Sequence, residues 1–223
     1  MAQDIDSIQS LPTVADAKGI IAALFGPAAS EIGVAIQGYF IPWTLSNIQR
    51  TAEKVRKLRE EYGIDATKSL PPRYAFAILD GAAKEDDEKL SDMWAALISK
   101  STDPSSGYSP LKRHIELLKV LDPLHVKILG VLDNRKDDVQ PPLAYFGASA
   151  LSVDIDASLE HTLMALRALF VLGLVSDYWL QTFDGAGGSA ETFANTHEHS
   201  HILLTAFGRD LVNACRYAKR VTV

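Results

Sequence analysis

The chain has 223 residues, 47% hydrophobic and 22% charged, an ordinary soluble composition that can bury a sizeable core in one or two domains. A net charge of −6 argues against binding nucleic acid by bulk charge, and a single cysteine, Cys215, excludes an intrachain disulfide and suits a reducing compartment. Asp4 and Asp6 precede Lys18, the first positive side chain, which reverses the order of a secretory signal. The expected location is the cytoplasm, with the periphery of the inner membrane as the alternative.

A polar lead runs to Pro12, and between residues 19 and 49 the only charged side chain is Glu31. That length approaches the roughly 20 residues that span a bilayer. Pro27 would interrupt a single helix, however, and Glu31 and Gln37 fall mid-segment. Two short packed helices are expected, the second starting at Pro27. The competing reading is a membrane or self-association surface presenting Phe25, Ile32, Ile36 and Phe40, with Gly19, Gly26 and Gly33 permitting close approach.

Residues 45–62 form the clearest amphipathic helix. Leu45, Ile48, Ala52, Val55, Leu58 and Tyr62 make its inward stripe, and Gly63 is its stop. Arg50, Lys54, Arg56, Lys57 and Arg59 project elsewhere, and 49–68 holds six bases against four acids. This basic row reads first as a solvated face and second as a nucleic-acid or lipid contact through Arg50, Lys54 and Lys57.

Pro71 and Pro72 precede a helix at about 73–84, and a second helical element covers 82–98. There the consecutive acids Glu85, Asp86, Asp87 and Glu88 lead into Leu90, Met93, Trp94, Leu97 and Ile98, which share one helical face. The acids are expected in the first turns, where the dipole favours them. They diverge by about 100° per residue on a helix, so they suit a magnesium ion poorly. A loop at 101–110 and a helix at 110–121 bearing Ile115, Leu118 and Leu121 complete an all-helical domain, 1–121.

Asp122-Pro123 reads as cap and first position of a helix reaching Asn134 with Leu124, Ile128, Leu129 and Leu132 inward. A charged loop to Pro142, a short helix near 143–150 and a cap at Asp156 follow. The next helix starts at Ala157, buries Leu159, Leu163, Leu166 and Phe170, and stops at Gly173. Strands at 174–182 and 197–204 flank a glycine-rich tip, and Thr205 caps a final helix to about Ala218. This order is that of a winged helix-turn-helix with an added closing helix. The expected fold is mainly α, with a winged-helix-like domain and a small β-hairpin over 122–223.

No phosphate loop, dinucleotide turn or nucleophile elbow occurs. Cys215 sits beside Leu211 and Val212 and reads as a structural thiol. Arg113 and His114 are adjacent and so point apart on a helix, unlike a ribonuclease pair. His197, His199 and His201 alternate along a strand and are weak metal candidates. Their roughly 6.5–7 Å steps are wide for one zinc at about 2.0 Å from each nitrogen. The third helix of the winged-helix-like domain would expose Glu160, His161, Thr162, Met164 and Arg167. Residues 151–223 hold eight acids against five bases, so a protein-contact module is favoured over DNA binding, with Arg167 the candidate contact. No catalytic residue, cofactor or small-molecule substrate is indicated. The expected partner is another protein or a second copy, followed by a membrane surface and then nucleic acid.

Several strings occur in a telling order: Gly26-Pro27-Ala28-Ala29-Ser30-Glu31-Ile32-Gly33, the helix after Trp43, Glu85-Asp86-Asp87-Glu88 with Leu90 and Met93-Trp94-Ala95-Ala96-Leu97, Leu121-Asp122-Pro123-Leu124, and Leu203-Leu204-Thr205-Ala206-Phe207-Gly208. Together they resemble the abortive-infection alpha (Abi-alpha) family over about 14–216, a bacterial and archaeal domain linked to phage resistance. The resemblance implies antiviral defence, as a growth-arresting component, and carries over no catalytic residues. Three readings follow: a non-enzymatic defence protein acting through protein or membrane contacts, a winged-helix DNA-binding regulator, and a nuclease-type enzyme using the histidine row.

Overall fold

Trp94, with none of its surface exposed, is the largest fully buried side chain among the described residues. It belongs to a compact unit formed by Met1–Val120 with Ala214–Val223; a second unit is Leu121–Asn213. The computed structural model describes residues 14–25, 42–64, 68–134, 147–177 and 202–216.

The first unit contains α1 (Val14–Phe25), α2 (Pro42–Tyr62), α3 (Pro72–Ala83), α4 (Glu88–Thr102) and α5 (Lys112–Leu118). The central helix is α4, which packs against all four others. That position explains why Trp94, Ala95, Leu97 and Ile98 are sealed from solvent on what would otherwise be different faces. On α2, Leu45, Ile48 and Val55 turn inward as their spacing dictates. Asn47 and Thr51 are buried beside them, although both are polar. Their groups are answered: Asn47 Nδ2 donates to the Ala83 carbonyl at 3.1 Å, and the Thr51 and Ser91 hydroxyls lie 3.4 Å apart.

The acidic run is not a helical start as a whole. The third helix ends at Ala83, a turn intervenes, and only Glu88 of the four acids is helical. Asp87 has extended backbone and acts as the N-cap. Its Oδ1 accepts from the amides of Lys89 at 2.9 Å and Leu90 at 3.0 Å, satisfying donors that have no partner inside the helix. Gly81 lies under the Trp94 ring, and a Cβ there would overlap ring carbons Cζ2 and Cη2.

The second unit contains α6 (Pro123–Asn134), α7 (Ala148–Asp154), α8 (Leu159–Val171), β1 (Val175–Asp177), β2 (Ile202–Leu204) and all but the last residue of α9 (Ala206–Ala214). Asp122 caps α6 by accepting from the amides of Leu124 and His125, both at 3.0 Å. The cap of α8 is Ser158 rather than Asp156: its Oγ accepts from the His161 amide at 3.2 Å. Asp156 instead adopts a left-handed conformation, φ 54°, in the turn between α7 and α8. Of the short helix expected near 143–150, residues 143–146 lie outside the described residues; the described helix is Ala148–Asp154, entered through extended backbone at Gly147.

The two strands pair antiparallel, Val175 opposite Leu204 and Asp177 opposite Ile202. Val175, Ile202 and Leu204 face inward, and Leu203 is exposed. The sheet packs on α8 through β1 and on α6 through β2. Thr205 closes the unit: its hydroxyl donates to the Gly173 carbonyl at 2.7 Å and accepts from the Gly208 amide at 2.8 Å, capping α9 as expected. The described residues are thus mainly helical, with one small antiparallel sheet. The glycine-rich tip and the histidines at 197, 199 and 201 lie outside them.

Candidate interaction face

The basic row of α2 is largely consumed inside its own unit. Arg50 Nη2 donates to the Glu85 carbonyl at 2.7 Å and to Asn47 Oδ1 at 3.2 Å. Lys54 Nζ donates to the Glu88 carbonyl at 2.8 Å and pairs with Glu88 Oε1 at 2.8 Å and Asp92 Oδ1 at 2.7 Å. Lys54 thereby holds the Glu88 carboxyl below its ordinary range, first by its hydrogen bond and then by its charge. Burial pushes the Glu85 carboxyl the other way, upward. Two members of the basic row, Arg50 and Lys54, are thus tied to the acidic run some 35 residues away, Arg50 through the Glu85 carbonyl and Lys54 through the Glu88 carbonyl and carboxylate. Lys57 remains exposed. Sequence spacing treats each helix alone and so could not pair them.

The described part of the apolar stretch at 19–43 is divided: Gly19, Ala23 and Trp43 are exposed, the last at 49%. Ile21, Leu24 and Phe25 are buried in the first unit, so Phe25 is a packing residue and not a contact residue. Arg59 fixes that helix end: it donates to the carbonyls of Ala23 at 2.8 Å and Leu24 at 2.9 Å and to Thr102 Oγ1 at 2.9 Å. Those carbonyls are the ones α1 cannot satisfy internally. Ile32, Ile36 and Phe40 lie outside the described residues. Among the described residues, no helix is long and apolar enough to cross a membrane.

Other reactive types are placed without forming a constellation. Burial pushes the Cys215 thiol up to about 12, against a weaker opposite pull from Lys100, so it is not a thiolate at neutral pH. His114 is fully buried, its Nδ1 2.9 Å from the Tyr108 hydroxyl, while its neighbour Arg113 is exposed. A pocket of about 460 Å³ lies between α1 and α2, floored by Ile20, Leu24 and Val55. On its rim, Arg56 and Glu60 pair with each other at 2.7 Å. No group of three potential metal ligands occurs among the described residues.

The outward face of α8 differs from all of these. Its buried residues are Thr162, Ala165, Leu166 and Leu169. The stripe is rotated from the expected Leu159, Leu163, Leu166 and Phe170, and Phe170 is 39% exposed. Thr162 can turn inward because its hydroxyl donates to the Ser158 carbonyl at 2.9 Å, which removes the cost of burying it. The opposite side presents Glu160, His161, Met164, Arg167 and Val171. Met164 is 66% exposed and Val171 79%. No hydrogen bond or ion pair engages Glu160 or Arg167 among the described residues.

The described residues are mainly helical and fall in two units, and α8 presents a partly apolar, exposed face. The family model for abortive infection alpha matches residues 44–215, most of the chain, and the protein belongs to that family. No curated protein and no solved structure shows significant similarity to it.

Proposed function

We propose that this protein is a non-enzymatic abortive-infection protein that acts by contacting another macromolecule through the outward face of α8. Family membership supports the defence role. The observation that carries the contact is the exposure of Met164 and Val171 on the side of the helix that bears Glu160 and Arg167. Large apolar side chains grouped on one face with charges at intervals are the composition of a protein contact.

DNA binding is the second reading, favoured by the order α6, α7, α8, β1, β2, in which α8 takes the place of a winged-helix reading helix. Against it, residues 121–213 hold twelve acids and five bases, a net of −7, which repels phosphate. Phage plating on cells carrying the Met164→Asp and Val171→Asp double variant separates the readings. Loss of protection with unchanged expression and far-UV circular dichroism is expected. Full protection would refute the contact. A salt-sensitive gel shift that weakens on Arg167→Ala would instead favour DNA, and loss on Lys57→Glu alone would move the contact to α2.

A further inference from the structure

The charges on α8 are spaced for a particular partner. Glu160, Met164, Arg167 and Val171 follow at steps of four, three and four, the spacing by which one helix presents a seam to another. All four are exposed. Glu160 and Arg167 are separated by about 10.5 Å of helix rise, too far to pair with each other. Met164 lies within half a residue of their midpoint.

We infer that α8 packs antiparallel against α8 of a second copy of this chain, the two helices crossing at Met164. A two-fold axis there brings Glu160 of each copy towards the partner's Arg167, so two ion pairs flank a methionine contact at the centre. Such an interface is isologous, each patch complementing itself. A parallel arrangement would bring Glu160 to Glu160 and Arg167 to Arg167, so the order of charges selects the antiparallel one. The alternating charge also disfavours a nucleic-acid occupant, which would meet Glu160 with phosphate. This inference rests on the reading of α8 as a contact face and names its occupant. One helix face covers less than the roughly 800 Å² per partner of a standard interface, so the dimer is weak and builds with concentration.

Sedimentation equilibrium of the full chain at low salt tests it, with circular dichroism confirming that each variant is folded. The wild type is expected to dimerise with increasing concentration. Arg167→Glu and Glu160→Arg should each weaken the dimer by about tenfold, because each change breaks both symmetry-related pairs while each exposed pair is individually weak. Their combination should restore it, because exchanged charges remain complementary about the two-fold axis. A wild type that stays monomeric at millimolar concentration overturns the inference, as does a double variant no better than the singles. The outcomes are independent of the functional reading. Lost phage protection in Met164→Asp together with a monomeric wild type would leave the contact face standing and remove the second copy as its occupant. Charge-swap rescue of the dimer with protection intact in Met164→Asp would do the reverse.

Discussion

Two glycines of the second unit are chemically alike and structurally opposite. A Cβ on Gly208 would overlap the Leu174 carbonyl oxygen, and that oxygen already accepts from the Thr205 amide at 3.1 Å. Backbone held in this way cannot retreat as a side chain would. Gly208→Ala is expected to destabilise the protein by about 3 kcal/mol, at the upper end of overpacking costs, in urea unfolding. At Gly130, inside α6, a Cβ would meet nothing within 4 Å. Gly130→Ala should therefore stabilise by about 0.5–1 kcal/mol in the same assay, through helix propensity alone. The sequence offers no way to tell these two positions apart. Nor does it reveal that Asn47 and Thr51 are interior, because a polar side chain enters a core only where a specific partner, here Ala83 and Ser91, is waiting.

Helix boundaries follow from caps, and caps are partly legible. Asp122 and Thr205 are readable because each is a good cap directly before an apolar period, with Pro123 reinforcing the first. The run Glu85 to Glu88 offers several equivalent acids, and only the backbone geometry selects Asp87. Asp87→Ala is expected to cost about 1 kcal/mol, while Asp86→Ala should change stability by less than about 0.5 kcal/mol, both by chemical denaturation. A cap at Asp87 and a solvated Asp86 are distinguished by that difference. The face of α8 is the least legible feature at this scale. Apolar residues occupy 163–166 and 168–172 without interruption, so spacing alone does not decide which side is buried. The choice falls to the neighbours, since α6, α7 and β1 pack on one side.

Across the whole molecule, the two units carry different acid-sensitive groups. In the second unit, His125 is buried at the start of α6, its Nδ1 accepting from the Asp122 amide at 3.1 Å. Burial lowers its pKa, and the nearby Asp122 carboxylate opposes that only in part. The unfolded chain thus takes up a proton before the folded one, and stability falls as pH drops below about 6.5. In the first unit, burial raises the pKa of Asp80, but Lys84 and Lys119 outweigh it and the net shift is downward. Asp80 and Glu88 therefore contribute stability above the ordinary carboxylate range, lost as pH falls through it, whereas the raised pKa of Glu85 acts in the opposite sense. Hydrogen exchange should show α6 opening more readily below pH about 6.5. His125→Gln, which retains an acceptor but does not titrate, should remove that step; opening of α6 that keeps the same pH dependence in the variant would contradict this assignment.

Composition, periodicity and turn chemistry by themselves determined a mainly helical chain, most helix positions, two of the caps and the order of elements, because each depends on residues close in sequence. Tertiary structure alone decided that Arg50 and Lys54 of α2 are tied to the acidic run, that Phe25 is core, and that α8 turns Met164 and Val171 outward. Those outcomes depend on which surfaces meet, and burial energy is shared between elements tens of residues apart, where no local pattern records it.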